Sequence, residues 1–319
     1  MSPHEALLAL RHYLTKQILG QERLVDRLLI ALLADGHLLV EGAPGLAKTK
    51  AIKYLAEGLE ASFQRIQFTP DLLPSDITGS DIYRPESALF EFQQGPVFHN
   101  LILADEINRA PAKVQSALLE AMAEHQVSIG NSTYPLPSLF LVMATQNPIE
   151  QEGTYPLPEA QLDRFLMHVK IGFPDAQIER KILQQARGIA LHGETKPPQQ
   201  LTQDIIFAAR EEILNLYMAD AMEEYLIQLV IATRTPAKYD AQLAQWIRFG
   251  ASPRGSIAID RCARAHAWLA GRDYVSPEDI QAVIFDTLRH RIILSFEAEA
   301  AGIDQEQVLQ HLLDVVAVA

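Results

Sequence analysis

Apolar residues recur at three- and four-residue spacing between positions 5 and 34 (Leu7, Leu8, Leu10, Leu14, Ile18, then Leu24, Val25, Leu28, Leu29, Leu32). Gly20 interrupts the pattern, which therefore predicts two helices. Five short apolar runs follow, at 37–41, 63–68, 101–105, 139–145 and 165–171, each bounded by turn or polar residues. Helical periodicity lies between several of them, at 49–59 and 112–124. Strands that alternate with helices make crossover units, so a mainly parallel five-stranded sheet is expected. Two segments break the alternation and predict β-hairpin insertions. In the first, strands at 81–83 and 89–93 flank residues 84–88, with Phe90 and Phe92 alternating with Glu91 and Gln93. In the second, strands at 126–129 and 132–136 flank the two-residue turn Gly130-Asn131.

Strand signals stop after Phe173-Pro174, and the remainder predicts helices at 177–186, 202–216, 221–233 and 256–269, with a last pair within 277–312. Residues 192–200, with Pro197-Pro198, read as an exposed linker. Ser276 and Pro277 have the chemistry of a helix cap and first turn. The expected organisation is an α/β domain over 1–175 and a helical domain over 176–319. A chain of 319 residues accommodates two such units at ~100 to 200 residues each.

Composition narrows the function. With 48% hydrophobic and 21% charged residues the chain is globular, and its net charge is −13. Both halves are acidic, with 13 basic against 21 acidic residues over 1–175 and 14 against 19 over 176–319. Neither half offers a basic footprint for nucleic acid or anionic lipid. Cys262 is the single cysteine, which excludes an intrachain disulfide and a cysteine-based zinc cage and suits a reducing compartment. His4, Glu5, Arg11 and His12 break up the start of the chain where a signal peptide needs an apolar core, and no apolar run approaches the ~20 residues of a membrane span. A cytoplasmic protein with no stable membrane insertion is expected.

Three constellations carry chemistry. Gly42-Ala43-Pro44-Gly45-Leu46-Ala47-Lys48-Thr49 follows an apolar strand and opens a helix, the context of a phosphate-binding loop. Backbone N–H groups, the helix start and Lys48 cradle a triphosphate in such a loop, and Thr49 supplies a hydroxyl for Mg²⁺. Ala47 replaces the usual second glycine; since the position leads into a helix, alanine is expected to be tolerated. The strand at 101–105 ends in Asp105-Glu106, one carboxylate for the Mg²⁺ shell and one to polarise a water for in-line attack. An Asp-Glu pair alone is commonly just solvated surface; the phosphate loop changes its reading. Thr145-Gln146-Asn147-Pro148 puts an amide at the same sheet edge, where Asn147 could hold the attacking water. The ten histidines show no metal-ligand spacing, and no Gly-x-Ser-x-Gly elbow is present.

The chain resembles the MoxR-type AAA+ ATPases. The resemblance rests on residues 42–49, on Ala104-Asp105-Glu106-Ile107-Asn108-Arg109-Ala110-Pro111, on Ala144-Thr145-Gln146-Asn147-Pro148 and on the stretch from Glu152-Gly153-Thr154 to Leu162-Asp163-Arg164-Phe165. It continues through Gly250-Ala251-Ser252-Pro253-Arg254-Gly255 and Leu288-Arg289-His290-Arg291-Ile292-Ile293-Leu294. It implies a P-loop αβα sandwich followed by an all-α lid, with ATP and Mg²⁺ in the cleft between them, and rings usually of six subunits. The nucleotide-contacting set it implies is Ile18, Leu19, Gly20 and Gln21 near adenine, then Gly42, Ala43, Pro44, Gly45, Leu46, Ala47, Lys48, Thr49 and Lys50. Thr49 and Asp105 hold the metal and Glu106 activates water. The family roles that transfer are Asn147 as first sensor, Arg164 as an arginine finger acting on a neighbour, and Arg254 as second sensor in cis or in trans. Arg109 has no assigned role.

The function expected from this resemblance is ATP-driven, chaperone-like remodelling or maturation of protein clients, cofactor or metal insertion included. A partner with a von Willebrand A domain is implied in the same way. Phe90, Phe92 and Tyr134 are either client contacts or hairpin packing. A nucleic-acid motor is the alternative, and its basic pore loops are missing: residues 81–93 hold one Arg against Asp81, Glu86 and Glu91, and 126–136 carry no charge.

Overall fold

A computed structural model describes residues 1–318 apart from 87, 149–152, 194, 195 and 198. Ser87 of the first hairpin turn, Glu152 of the family-like stretch, and Glu194, Thr195 and Pro198 of the expected linker lie outside the described residues.

Five strands form one sheet: β1 (Leu38–Glu41), β2 (Phe63–Gln67), β3 (Leu101–Asp105), β4 (Leu141–Gln146) and β5 (Met167–Lys170). Their order is β2-β3-β4-β1-β5, and every pairing is parallel. Alternate residues of each strand face opposite ways, so the sheet needs apolar cover on both sides. Leu38, Val40, Leu101, Leu103, Leu141, Met143, Met167 and Val169 join one hydrophobic cluster. Leu39, Ile102, Ala104, Val142 and Ala144 join another. The first is covered by α1 (Pro3–Gln17), α2 (Glu22–Leu33) and α3 (Lys48–Glu57); the second by α4 (Ala112–Glu124). Phe165 and Leu166, expected within the fifth strand, precede β5, and Arg291 donates to both of their carbonyls.

The two hairpins form outside the main sheet, pairing Gly79–Arg84 with Leu89–Gln94 and Gln126–Ile129 with Ser132–Pro135. Phe92 stacks on Tyr134 with ring centroids 4.0 Å apart, which ties one hairpin to the other. Phe92 and Tyr134 thus resolve as packing residues, whereas Tyr83, Leu89 and Phe90 are exposed near the first hairpin's turn.

From residue 176 the longer helices are α5 (Ala176–His192), α6 (Gln203–Leu214), α7 (Asp220–Arg234), α8 (Pro253–Leu269), α9 (Pro277–Leu288) and α10 (Gln305–Val315). Ser276 and Asp279 form a reciprocal capping box at the start of α9. A short helix, Ala241–Trp246, and a small antiparallel pair, Ile247–Phe249 with Ile293–Leu294, went unpredicted because runs this brief show no period. The apolar cluster that covers α1 and α2 runs without a break into Ile206, Leu229, Ile259, Val283 and Leu309. The helical part is therefore packed onto the α1–α2 side of the sheet.

Charged groups lock that packing. Asp286 of α9 is buried and accepts from Arg27 Nε at 2.6 Å, Arg23 Nη2 at 2.8 Å and Arg289 Nη1 at 3.0 Å. Burial alone would push its carboxyl up, but the three guanidiniums outweigh that and hold it below the usual carboxylate range. His290 Nε2 meets the Phe165 carbonyl at 3.1 Å, and Arg289 donates to the His168 carbonyl. Removing one partner of such a network strands the other charges in the interior. Asp286→Ala should lose about 3–5 kcal/mol of stability, read from the urea midpoint at constant m-value.

Candidate active site

The parallel register brings the carboxyl ends of the strands into one line. Gln67 of β2 lies opposite Asp105 of β3, and Glu41 of β1 lies between Gln146 of β4 and Lys170 of β5. The phosphate loop, the acidic pair and Asn147 all follow directly from those ends.

The loop backbone explains its residues. A Cβ on Gly42 would sit 2.4 Å from Ile171 Cγ1, and Gly45 has φ +84°, a conformation that favours glycine. Ala47 also has positive φ, 59°, at the N-cap of α3. The position is not yet helical, so the alanine is held in the left-handed region at a cost of about 1 kcal/mol. Lys48 Nζ donates to the Gly42 carbonyl at 2.6 Å and to the Gln146 carbonyl at 3.3 Å. Burial pushes the ammonium's pKa down, and the nearby Asp105, Glu106 and Glu41 offset only part of that. An added anion would restore what burial removes.

Asp105 Oδ1 accepts from the Thr145 hydroxyl at 2.6 Å, and that hydroxyl accepts from the Glu106 N–H at 2.9 Å. Glu106 has φ +57°, strained for a glutamate, and its Oε2 accepts from Gln67 at 2.9 Å and Arg109 at 3.1 Å. Asp105 Oδ2 accepts from Arg65 Nη2 at 2.6 Å and Nε at 3.1 Å.

These groups line a cavity of about 470 Å³ that holds Pro44, Gly45, Leu46, Ala47, Lys48, Thr49 and Lys50 together with Arg65, Asp105, Glu106 and Asn147. Ile18, Leu19, Gln21, Pro174, Ile182 and Gln185 line the same cavity. Gly42 and Ala43 lead into the loop from β1, and Gly20, with φ +77°, turns the chain between α1 and α2; none of the three lines the cavity. Of the helical part, α5 alone contributes to the wall, so the cleft expected between sheet and lid is narrowed to one between the sheet edge and α5.

Arg164 and Arg254 are elsewhere. They share a second cavity, of about 210 Å³, with Arg261, Arg291, Asp35, Asp163 and His37. Arg164 Nη1 donates to the Leu119 carbonyl at 2.7 Å, and the same residue borders Glu120 and Glu124 on its other side. Asp163 joins the segment of Arg164 to the N-terminus of α8: it accepts from the cap hydroxyl of Ser252 at 2.9 Å and from Arg291 Nε at 2.8 Å, with Arg254 Nη1 at 3.8 Å.

A glycine loop between a strand and a helix that opens Lys-Thr, set beside an acidic pair on an all-parallel sheet, defines a P-loop ATPase of the AAA+ class. The comparisons with known proteins agree. Residues 37–167 match the family model described as "ATPase family associated with various cellular activities", and residues 241–312 match the AAA lid domain. The chain is 49% identical over 303 residues to Chaperone MoxR1 of Mycobacterium tuberculosis, which covers 94% of this chain and 79% of that protein. It is 44% identical over 307 residues to YeaC of Bacillus subtilis, covering 96% and 92%. A crystal structure from Cytophaga hutchinsonii superposes with TM-score 0.92 at 46% identity, covering 99% of this chain and 96% of that one. The chain belongs to the MoxR family of AAA+ ATPases.

Sequence reasoning passed over Arg65, Gln67 and Asp163. The first two stand at alternate positions of β2, which places them on one face, and Asp163 immediately precedes Arg164. Arg65 holds the carboxylate oxygen that a divalent cation would use. Its side chain is half exposed, so the pair is worth roughly 0.5–1 kcal/mol. Arg65→Gln should therefore lower the Mg²⁺ concentration for half-maximal binding of a fluorescent ATP analogue by about two- to fivefold. An unchanged midpoint would show that Arg65 and the cation do not compete.

Proposed function

We propose that this ATPase hydrolyses ATP with Mg²⁺ at an interface between subunits of a ring, six by family resemblance, and uses the cycle for chaperone-like remodelling or maturation of protein clients. The observation that carries the reading is the separation of the two arginines from the cavity that holds Lys48, Asp105, Glu106 and Asn147. A phosphoryl transfer site needs cations against the charge that spreads over the equatorial oxygens. Arg164 and Arg254 line a different cavity from their own phosphate loop, so a neighbour's triphosphate is the one they serve. Both then act in trans.

The same reading divides the labour among the residues of the first cavity. Lys48 binds the β- and γ-phosphates as it leaves the carbonyls of Gly42 and Gln146. Thr49 and Asp105 would hold Mg²⁺, which would supply a further positive charge against the triphosphate. Glu106 takes a proton from the attacking water, and Asn147 orients that water from the end of β4. Ile18, Leu19 and Gln21 accommodate the base. The sheet, the phosphate loop and residues to 175 form the catalytic unit, and 176–319 the lid.

The protein-client half of the proposal rests on the relative named a chaperone and on the first hairpin. Tyr83, Leu89 and Phe90 expose apolar surface there, while Arg84 is paired with Glu91 at 2.9 Å. That surface suits a polypeptide and lacks the free cations that track a phosphate backbone. Metal or cofactor insertion, a partner with a von Willebrand A domain and a cytoplasmic location complete the reading. Among the described residues no helix is long and apolar enough to cross a membrane.

Two variants test the site. Lys48→Ala should abolish ATP binding by calorimetry, and Glu106→Gln should bind ATP yet turn over at least about a hundredfold more slowly. The trans assignment is tested by mixing Glu106→Gln with Arg164→Ala. Each is nearly inactive alone, but a mixed ring contains interfaces with both residues intact, so activity should return. Absence of rescue in mixed rings verified by native mass spectrometry would overturn it.

A further inference from the structure

We propose that Arg261 is a third phosphate ligand supplied in trans, beside Arg164 and Arg254, to the triphosphate of the neighbouring subunit. The proposal rests on the reading that the second cavity meets a neighbour's nucleotide, and it adds a residue that neither the family resemblance nor the motifs around it assign.

Arg254, Ile257 and Arg261 stand at i, i+3 and i+7 of α8 and so share one helix face. All three line the second cavity. Ile257 is 52% exposed between the arginines, an apolar residue placed where a protein surface would cover it. Arg261 is exposed and, among the described residues, its side chain has no hydrogen bond or ion pair.

The charge inventory of the cavity makes that lack informative. Its carboxylates are Asp35 and Asp163. Asp35 is taken by Arg210 at 2.7 Å, and Asp163 by Arg291 at 2.8 Å, with Arg254 only at the 3.8 Å margin. His37 is buried and neutral, because desolvation pushes its pKa to about 4 while Nδ1 accepts from the Val142 N–H and Nε2 faces the Met122 carbonyl. Arg164, Arg254 and Arg261 therefore leave an excess of positive charge in a chain whose net charge is −13. Three arginines that line one recess, whose own two carboxylates are already engaged, fit a polyanion with several oxygens, and a nucleoside triphosphate has that chemistry. A single γ-phosphate finger would not need the third. Arg261, two helical turns beyond Arg254, lies about 10 Å further along the helix axis, a displacement suited to the inner part of the phosphate chain.

The test uses the full-length protein. Arg261→Ala should leave binding of a fluorescent ATP analogue to dilute, unassembled subunits unchanged, since its own cavity does not contain the residue. In assembled protein, kcat/KM should fall about tenfold or more, the scale of one charge-assisted contact to phosphate. Arg261→Lys, which keeps the charge but loses the fork, should recover part of the loss. Mixing Arg261→Ala with Glu106→Gln should restore activity, because the two lesions then sit on opposite sides of an interface. Wild-type kcat and KM in Arg261→Ala overturn the proposal. So does a mixture that fails to recover while Arg164→Ala mixed with Glu106→Gln does, which would place Arg261 in its own subunit. If neither mixture recovers, the trans reading of the whole cavity falls and this proposal with it. Because Arg261 is exposed, the variant should fold, and an unchanged circular dichroism melt checks that before the kinetics are read.

Discussion

Everything in this molecule depends on a parallel sheet whose inner strands are buried on both faces. Such strands keep their polar chemistry at their ends. Leu101 to Ala104 of β3 are fully buried and apolar, and the chain meets its first ionisable group of that strand at Asp105. The same holds for β4, where Thr145 and Asn147 come after Leu141 to Ala144. The in-register ladder aligns those ends to within one residue, so side chains more than a hundred positions apart in sequence share one cavity. The Thr145 hydroxyl shows how tight this is, since it bonds both the Asp105 carboxylate and the Glu106 N–H.

A second constraint holds the helical part against the sheet. Arg289, His290 and Arg291 are all buried, and each reaches across to a backbone carbonyl around the start of β5. Asp286 and Asp163 supply the matching negative charge. Desolvation penalises such groups strongly, so the arrangement is stable only while every partner is present. It also fixes the segment of Arg164 relative to α8, because Asp163 bonds Arg291 on one side and the cap of α8 on the other.

Much of this was legible in the amino-acid sequence. The five strands, the two hairpins and the helix starts were readable because their periods and turn residues act locally, as at Gly130-Asn131 and Ser276-Pro277. The phosphate loop and acidic pair were readable because their chemistry is contiguous in the chain. Pairings across distant strands were not. Nothing near Arg65 announces that Asp105 will stand opposite the next-but-one residue, since register is settled only when the sheet forms. The backbone of Ala47 was not legible for a related reason: its place before a helix says nothing of the left-handed turn that the loop imposes on it.

The position of the arginines turns on how α8 is held. Had the helical part been docked over the phosphate loop, Arg254 would face its own cavity and one subunit would carry a complete set of charges. Instead the apolar cluster seats these helices on α1 and α2, and Asp163 brings Arg254 and Arg164 into the same recess. The two cannot move independently while that bridge stands. On the proposed reading they approach or leave a neighbour's phosphates together with the helical part that carries α8. Nucleotide state in one subunit would then be felt as a rigid shift of the next, through packing already present in the isolated chain. The hairpins are tied to one another by the stacked pair Phe92 and Tyr134, and the second springs from the end of α4, whose Leu119 carbonyl holds Arg164. The same helix thus holds the arginine and leads into the hairpin whose Tyr134 stacks on the candidate client hairpin, and a displacement at one end has a short route to the other.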